Sequence, residues 1–176
     1  MRCQRVEKSC YFIGHRESDE RLLPVLQAVV ERLISEEHVR YFYVGCYGGF
    51  DRIATTAVRN AKQHHPEIVA TQVLAYHPAE RSVDLPVGFD SSYYPEGLER
   101  VPKRLKIVRV NQIMVDQSDW LVCSVRHGAG NSSKLLDYAK KREAKGLIRV
   151  ENLAEDCIYT GCGVNLDSDH TPRSPE

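Results

Sequence analysis

The sequence VGCYGGFDR occupies residues 44–52 and separates two kinds of secondary structure. Residues 41–44 form an apolar, strand-like run, and residues 53–62 place small apolar residues at the spacing of one helix face. The turn between them holds glycines and an acid: Gly45, Gly48, Gly49 and Asp51. A strand that turns through glycines into a helix leaves backbone N–H groups and the positive helix end facing one point. We therefore predict that this turn binds an anionic group such as phosphate.

Simpler explanations remain open for the same residues. The glycines also suit a tight strand-to-helix connection that needs positive φ angles. Asp51 also suits a helix cap, because a carboxylate near a helix N-terminus accepts hydrogen bonds there and interacts favourably with the dipole. The sequence does not decide whether Asp51 contacts a ligand, caps the helix or acts as a catalytic acid.

Strands and helices alternate on both sides of this turn. β-branched and aromatic runs predict strands at residues 9–13, 39–44, 68–76, 119–125 and 146–150. Apolar residues at helical spacing predict helices at residues 19–37, 53–62, 103–117 and 134–144. The alternation predicts an α/β fold: a Rossmann-like three-layer sandwich with a mostly parallel central sheet of at least five strands. In such sheets, ligands bind beyond the carboxyl ends of the strands, where the strand order reverses.

The length of 176 residues predicts a single domain. We expect its core at about residues 9–152 and a C-terminal extension or tail at residues 153–176. Residues 79–102 are rich in proline, glycine and aromatic residues without a regular pattern, and they predict a flap over a pocket. Tyr93 and Tyr94 in this segment suit either stacking on a base or packing of the flap.

The composition excludes some function classes. Lysine and arginine balance aspartate and glutamate at 24 each, so the net charge gives no argument for binding nucleic acid or a membrane surface. No run of about 18 apolar residues is present, and no apolar signal segment is visible near the N-terminus. A cytoplasmic location is the resulting expectation. Association of identical copies through an apolar helix face is compatible with such sheets, but the sequence does not determine it.

The six cysteines do not predict a metal site or a disulfide framework. Cys10 and Cys123 lie in apolar strand-like runs and are expected to be buried. Cys157 and Cys162 precede His170, but they lack the paired CxxC spacing of most zinc sites. No metal is therefore predicted.

Two further strand ends carry turns suited to ligand binding. Gly14, His15 and Arg16 follow the first strand, where a guanidinium can pair with a phosphate, although a surface ion pair is the alternative. A second glycine-rich turn follows the fourth strand and leads into a helix. Its predicted ligand-binding residues are Gly128, Gly130, Asn131 and Ser132. All three turns should meet in one crevice.

Other residues are predicted to reach that crevice. Arg109 and Asn111 lie on the helix before the fourth strand. His127 is a candidate general acid or base, although a lone loop histidine is more often not catalytic. Asp51 is the other candidate for catalysis.

These motifs together resemble the SLOG superfamily. The resemblance rests on the glycine-rich ends of the first, second and fourth strands and on the sequence FIGHR at residues 12–16. The superfamily joins the DNA-processing SMF/DprA proteins with the LOG phosphoribohydrolases, and the most similar branch is the uncharacterised bacterial one typified by YpsA. The resemblance covers about residues 9–152 and implies a Rossmann-like fold that binds a nucleotide or a nucleotide-derived ligand.

The LOG catalytic residues have no counterparts at the matching positions. When Met114 is aligned with the methionine of the LOG Arg-Lys-x-x-Met segment, the arginine position falls on Val110, beside Arg109. When Gly130 is aligned with the last glycine of the LOG Gly-Gly-x-Gly-Thr-x-Glu turn, the glutamate position falls on Ser133. Cleavage of an N-glycosidic bond would need another acid, such as Asp51 or Asp116.

Three functions are compatible with these observations. The first is a sensor or regulatory module that binds a small nucleotide ligand such as AMP, ADP-ribose or an NAD-like molecule. The second is a LOG-like hydrolase of nucleoside monophosphates. The third is DprA-like nucleic-acid binding, which the zero net charge disfavours.

Overall fold

The computed structural model describes residues 7–126, 128 and 130–154, and it confirms the predicted α/β class. The described strands are β1 Lys8–Gly14, β2 Val39–Val44, β3 Val69–Val73, β4 Ser91–Tyr93, β5 Trp120–Ser124 and β6 Arg149–Asn152. The described helices are α1 Leu23–Ser35, α2 Gly49–His64, α3 Lys106–Gln117 and α4 Asn131–Glu143. The fold is a Rossmann-like three-layer sandwich.

The six strands form one parallel sheet in the order β4-β3-β2-β1-β5-β6. Tyr11 on β1 pairs with Tyr43 on β2 and with Leu121 on β5, so β1 lies at the centre. The chain moves outward from β1 to β4 and then crosses back to β5 on the other side. The strand order therefore reverses between β1 and β5, and this is where a ligand crevice is expected.

Helices cover both faces of the sheet. Phe12, Phe42 and Val122 point to the face covered by α1 and α2. Tyr11 and Leu121 point to the opposite face, which α3 and α4 cover. Because β1 and β5 are buried on both faces, their sequences read as continuous apolar runs instead of alternating ones. Cys10 and Cys123 lie in these strands and are buried, as predicted.

The predicted flap at residues 79–102 is wrong in its central part, because Ser91–Tyr93 forms the edge strand β4. Strand β4 pairs with β3, and Asp90 starts the pairing. The Asp90 N–H donates to the Ala70 carbonyl, and Asp90 Oδ2 accepts the Ala70 N–H at 2.8 Å. Tyr93 and Tyr94 pack against the apolar core, which supports the packing alternative for them. A strand of three residues is too short to show an alternating pattern.

The predicted helix at residues 19–37 begins later than expected. Asp19 caps a 3-10 turn at Glu20–Leu22 by accepting the Arg21 N–H at 2.9 Å, and α1 starts at Leu23. Pro24 lies in the first turn of α1, where its missing N–H costs no helix hydrogen bond. No helix in the described residues is both long and apolar enough to cross a membrane.

Candidate functional site

A cavity of about 480 Å³ lies at the carboxyl end of the sheet, where the strand order reverses. We call it the switch-point cavity. It brings together most of the predicted binding residues: Gly14, His15, Arg16, Gly45, Gly48, Asp51, Asn111, Asn131 and Ser132. A larger cavity of about 710 Å³ shares His15 and Arg16 with it and is lined by the segment before α1, by Val25 of α1, and by Leu153 and Ala154. The convergence of three strand ends therefore points to the switch-point cavity.

The turn at residues 44–52 does not offer the free N–H groups that its sequence predicted. The Gly49 N–H donates to the Arg16 carbonyl at 2.8 Å, and the Phe50 N–H donates to the His15 carbonyl at 3.3 Å. The Tyr47 N–H donates to Asp51 Oδ2 at 2.8 Å. The end of β1 and an acid of the same turn therefore occupy these three donors, and an anion site at this helix end stays a prediction.

Glycines occur here because segments of backbone approach each other closely. A Cβ on Gly14 would lie 2.2 Å from Cγ of Phe50, and one on Gly49 would lie 2.4 Å from the Arg16 carbonyl oxygen. A Cβ on Gly45 would lie 2.8 Å from Asp51 Oδ2. Gly45, Gly48 and Gly49 have no positive φ angle, so the alternative based on positive φ is wrong for them. Close packing of α2 against the end of β1 requires Gly14 and Gly49, and the Asp51 carboxylate occupies the space beside Gly45.

Asp51 has a capping role and also faces the cavity. It is the third residue of α2, and its carboxylate reaches back to the Tyr47 N–H in the preceding turn. Burial raises the pKa of the Asp51 carboxyl, while the N–H groups of Tyr47 and Gly48 act in the opposite direction. The carboxyl is thus a helix cap that a bound ligand in the switch-point cavity could also contact.

His15 links the ends of the two strands between which the order reverses. Its Nε2 accepts the backbone N–H of Arg126, just after β5, at 3.0 Å. A nitrogen that accepts a hydrogen bond carries no proton, so Nδ1 is the protonated position in this arrangement. Arg16 lines the cavity, and its guanidinium has no ion-pair partner among the described residues. The alternative of a surface ion pair therefore receives no support from the described part of the chain.

The two helix N-termini differ in whether hydrogen-bond partners occupy their N–H groups: we call the end of α2 closed and that of α4 open. Gly130 is its N-cap, no side-chain hydrogen bond caps it, and its first turn contains no acid. Asn131 and Ser132, its first two residues, line the switch-point cavity. A helix of 13 residues carries partial positive charge at this end. Of the two glycine-rich turns, this one retains the character of an anion site.

The cavity also contains residues that the sequence did not predict, among them Tyr11 and Arg104. Tyr11 is 2 % exposed, and its hydroxyl donates to Asn111 Oδ1 at 2.8 Å. Burial, with the nearby charge of Asp51 as a second cause, raises the pKa of Tyr11 well above its ordinary value, so the hydroxyl stays protonated as a donor. Arg104 lines the cavity from the 3-10 turn before α3, and no described residue forms an ion pair with it.

Several predicted residues lie elsewhere. Arg109 is exposed on α3 and does not line the cavity. Gly49, Gly128 and Gly130 also do not line it. Asp116 accepts a hydrogen bond from Tyr138 at 2.6 Å and pairs with Arg142 at 3.1 Å, so it serves the contact between α3 and α4. His127, Cys157, Cys162 and His170 lie outside the described residues.

The described residues contain no group of three or more His, Cys, Asp or Glu side chains placed to hold a metal ion. The chain matches no protein-family model, and a search of curated proteins finds no significant match.

Proposed function

We propose that the switch-point cavity binds a nucleotide or a nucleotide-derived ligand, and that the protein acts as a sensor or regulatory module. The supporting observation is the combination, within one cavity, of an uncapped helix N-terminus with two arginines that have no ion-pair partner among the described residues. The candidate ligands are AMP, ADP-ribose and NAD-like molecules.

The phosphate end of the ligand belongs beside α4. The first turn of α4 supplies backbone N–H groups and the positive end of the helix dipole. Arg16 and Arg104 add guanidinium groups, which form paired hydrogen bonds with phosphate oxygens. Among the described residues, Asp51 is the only carboxylate lining the cavity, and its bond to Tyr47 already compensates part of its charge. The balance of charge favours an anionic ligand.

The other end of the ligand belongs beside Asn111. Because Tyr11 donates to the Asn111 oxygen, the amide nitrogen is the group left to bond a ligand. Apolar side chains of Val73, Ile107 and Leu135 line the same cavity and suit a flat base. The volume of about 480 Å³ lies within the usual range for small-molecule sites.

The residue at the position of the LOG catalytic glutamate, Ser133, favours binding without turnover. Ser133 is buried, and its hydroxyl accepts the Gly128 N–H at 3.4 Å. The first turn of α4 contains no carboxylate that could stabilise a ribosyl cation. A sensor or regulatory role is therefore our first choice.

Titration calorimetry with NAD, ADP-ribose, AMP and their cyclic forms tests this proposal. We expect at least one ligand to bind. Arg104→Gln should lower the affinity for that ligand about ten- to a hundredfold, because a charge-assisted hydrogen bond is lost. Arg109→Gln is the matched control, since Arg109 is also an exposed arginine but does not line the cavity. Binding by none of the ligands would refute the proposal, and equal affinity in Arg104→Gln would exclude this cavity as the site.

A second candidate function is hydrolysis of a nucleoside monophosphate, and Asp51 supports it. Its carboxyl lines the cavity, and burial raises its pKa, as expected for a general acid. Release of free base from a nucleoside monophosphate, lost in Asp51→Asn, would support this function. Release at an unchanged rate in Asp51→Asn would remove Asp51 from the chemistry.

A further inference from the structure

A separate cavity of about 390 Å³ lies on the α2 side of the sheet. We call it the Gln72 cavity. Its walls are α2, the end of β2, the β3 residue Gln72, and Val83 and Pro86 of the segment after β3. It shares Gly45 and Asp51 with the switch-point cavity, so these two residues form the wall between the cavities.

Gln72 is an unusual residue for its position. It is 4 % exposed on β3, between β2 and β4, and its Oε1 has no hydrogen-bond partner among the described residues. Its strand neighbours Ala70 and Val73 are buried in the apolar core. A buried amide that is not bonded destabilises a fold, and an apolar side chain of similar size would avoid that cost. Because Gln72 lines a cavity, a group bound there would be able to satisfy this amide.

A second polar group in this cavity also lacks a partner. The Thr55 hydroxyl forms no hydrogen bond with the described residues, whereas its neighbour Thr56 donates to the Arg52 carbonyl at 3.0 Å. Thr55 and Gln72 approach the cavity from α2 and from the sheet, and Val83 and Pro86 provide an apolar side. Asp51, Arg52 and Thr56 also line the cavity, so a flat group bound there would lie between polar side chains and one apolar side.

We infer that the Gln72 cavity is a second subsite, for a planar group that carries an N–H donor beside a hydrogen-bond acceptor. A carboxamide presents an NH₂ donor and a carbonyl acceptor in one plane, and its complement is another primary carboxamide or the amino edge of an aminopurine. This inference goes beyond the proposed function, because it does not require the switch-point cavity to bind anything.

Cys46 provides a local measurement of occupancy. It lines the Gln72 cavity, it is partly exposed, and its thiol lies 3.7 Å from the Val73 carbonyl. The experiment uses methyl methanethiosulfonate labelling of the full chain, read at the Cys46 peptide by mass spectrometry. The probes are adenine and benzamide, and the controls are purine and N,N-dimethylbenzamide, which lack the N–H donor of the exocyclic group.

We expect adenine, benzamide or both to slow Cys46 labelling about tenfold near saturation, as mass action requires, and the controls to have little effect. Protection by benzamide alone identifies a carboxamide as the group, and protection by adenine alone identifies an aminopurine. Protection by neither probe, or equal protection by the controls, would overturn the inference.

Gln72→Leu tests the assignment to this side chain. The substitution removes the unpaired amide, so we expect the melting temperature to stay the same or to rise, and protection of Cys46 to be lost. Gln63→Leu replaces an exposed glutamine of α2 outside the cavity and should retain protection. If Gln72→Leu does not fold, Gln72→Met keeps the unbranched shape. Protection that persists in a folded Gln72 variant would overturn the inference.

Discussion

The two glycine-rich turns of this protein look alike in sequence and differ in what they leave free. The turn into α2 is closed from within: the end of β1 and the carboxylate of Asp51 occupy its N–H groups. The turn into α4 has glycine at the N-cap, no side-chain cap and no acid in its first turn. Both border the same cavity.

The difference separates two uses of glycine. At Gly14 and Gly49, the missing side chain makes room for neighbouring atoms that lie within 2.4 Å of the position of a Cβ. At Gly130, no atom of the described residues lies within 4 Å of that position, so they leave the space beside the helix end open. Glycine before a helix therefore indicates ligand binding only when the helix end remains unoccupied.

The largest effect is expected for the closed turn, in Gly49→Ala. A Cβ there would meet the Arg16 carbonyl oxygen at 2.4 Å, and because backbone cannot move aside easily, we expect a loss of about 3 kcal/mol in the free energy of unfolding. Denaturant titration measures it. Gly48→Ala is the control one residue earlier, where the nearest atom is the Arg16 Cα at 3.4 Å, and its cost should stay below about 1 kcal/mol. Equal losses would show that close packing does not determine the choice of glycine.

The second effect concerns the acid that closes the first turn. Asp51→Ala removes the acceptor of the Tyr47 N–H and should reduce the free energy of unfolding by about 1–3 kcal/mol. Asp51→Asn retains an oxygen acceptor in nearly the same shape and should lose much less. Thermal and denaturant unfolding of both variants compare them, and similar losses would indicate that charge, and not the hydrogen bond, stabilises the turn.

A smaller effect is expected in the pH dependence of stability. Burial raises the pKa of the folded Asp51 carboxyl above its unfolded value, so the fold favours the protonated form. The contribution of the protonated Asp51 carboxyl to the free energy of unfolding is fully present below the pKa of the unfolded state. It is lost as the pH rises through the pKa of the folded state. The free energy of unfolding of the wild type should therefore fall relative to Asp51→Asn as the pH increases from about 4 toward neutrality. A difference that does not change with pH, measured by denaturant titration, would contradict the raised pKa.

The smallest change in the free energy of unfolding is expected when a side-chain cap is added at the N-terminus of α4. Gly130→Asp places a carboxylate at the N-cap of α4 and should stabilise the protein by only about 0.3 kcal/mol. The same carboxylate would occupy the N–H groups and repel an anion, so the affinity of any ligand found by calorimetry should fall about tenfold or more. Unchanged affinity would show that α4 does not hold the phosphate.

Much of this arrangement was predictable from local pattern. The predicted strand at residues 39–44 has the same ends as the observed strand β2, Val39–Val44. β-branched and aromatic residues fill this segment, and residues that do not favour strands lie on both sides of it. The strand at residues 68–76 is shorter in the structure, and β4 is too short to carry a pattern at all. The cavity itself followed from the rule that ligands bind where parallel strand order reverses.

The sequence by itself determined the α/β class and the edge of the sheet at which the candidate site lies. Both follow from periodicity, which is a property of neighbouring residues. Only the tertiary structure decided which glycine-rich turn is open, that Arg104 enters the cavity while Arg109 does not, and that Tyr11 orients Asn111. The physical reason is that these depend on hydrogen bonds and contacts between residues far apart in the chain, which no local pattern records.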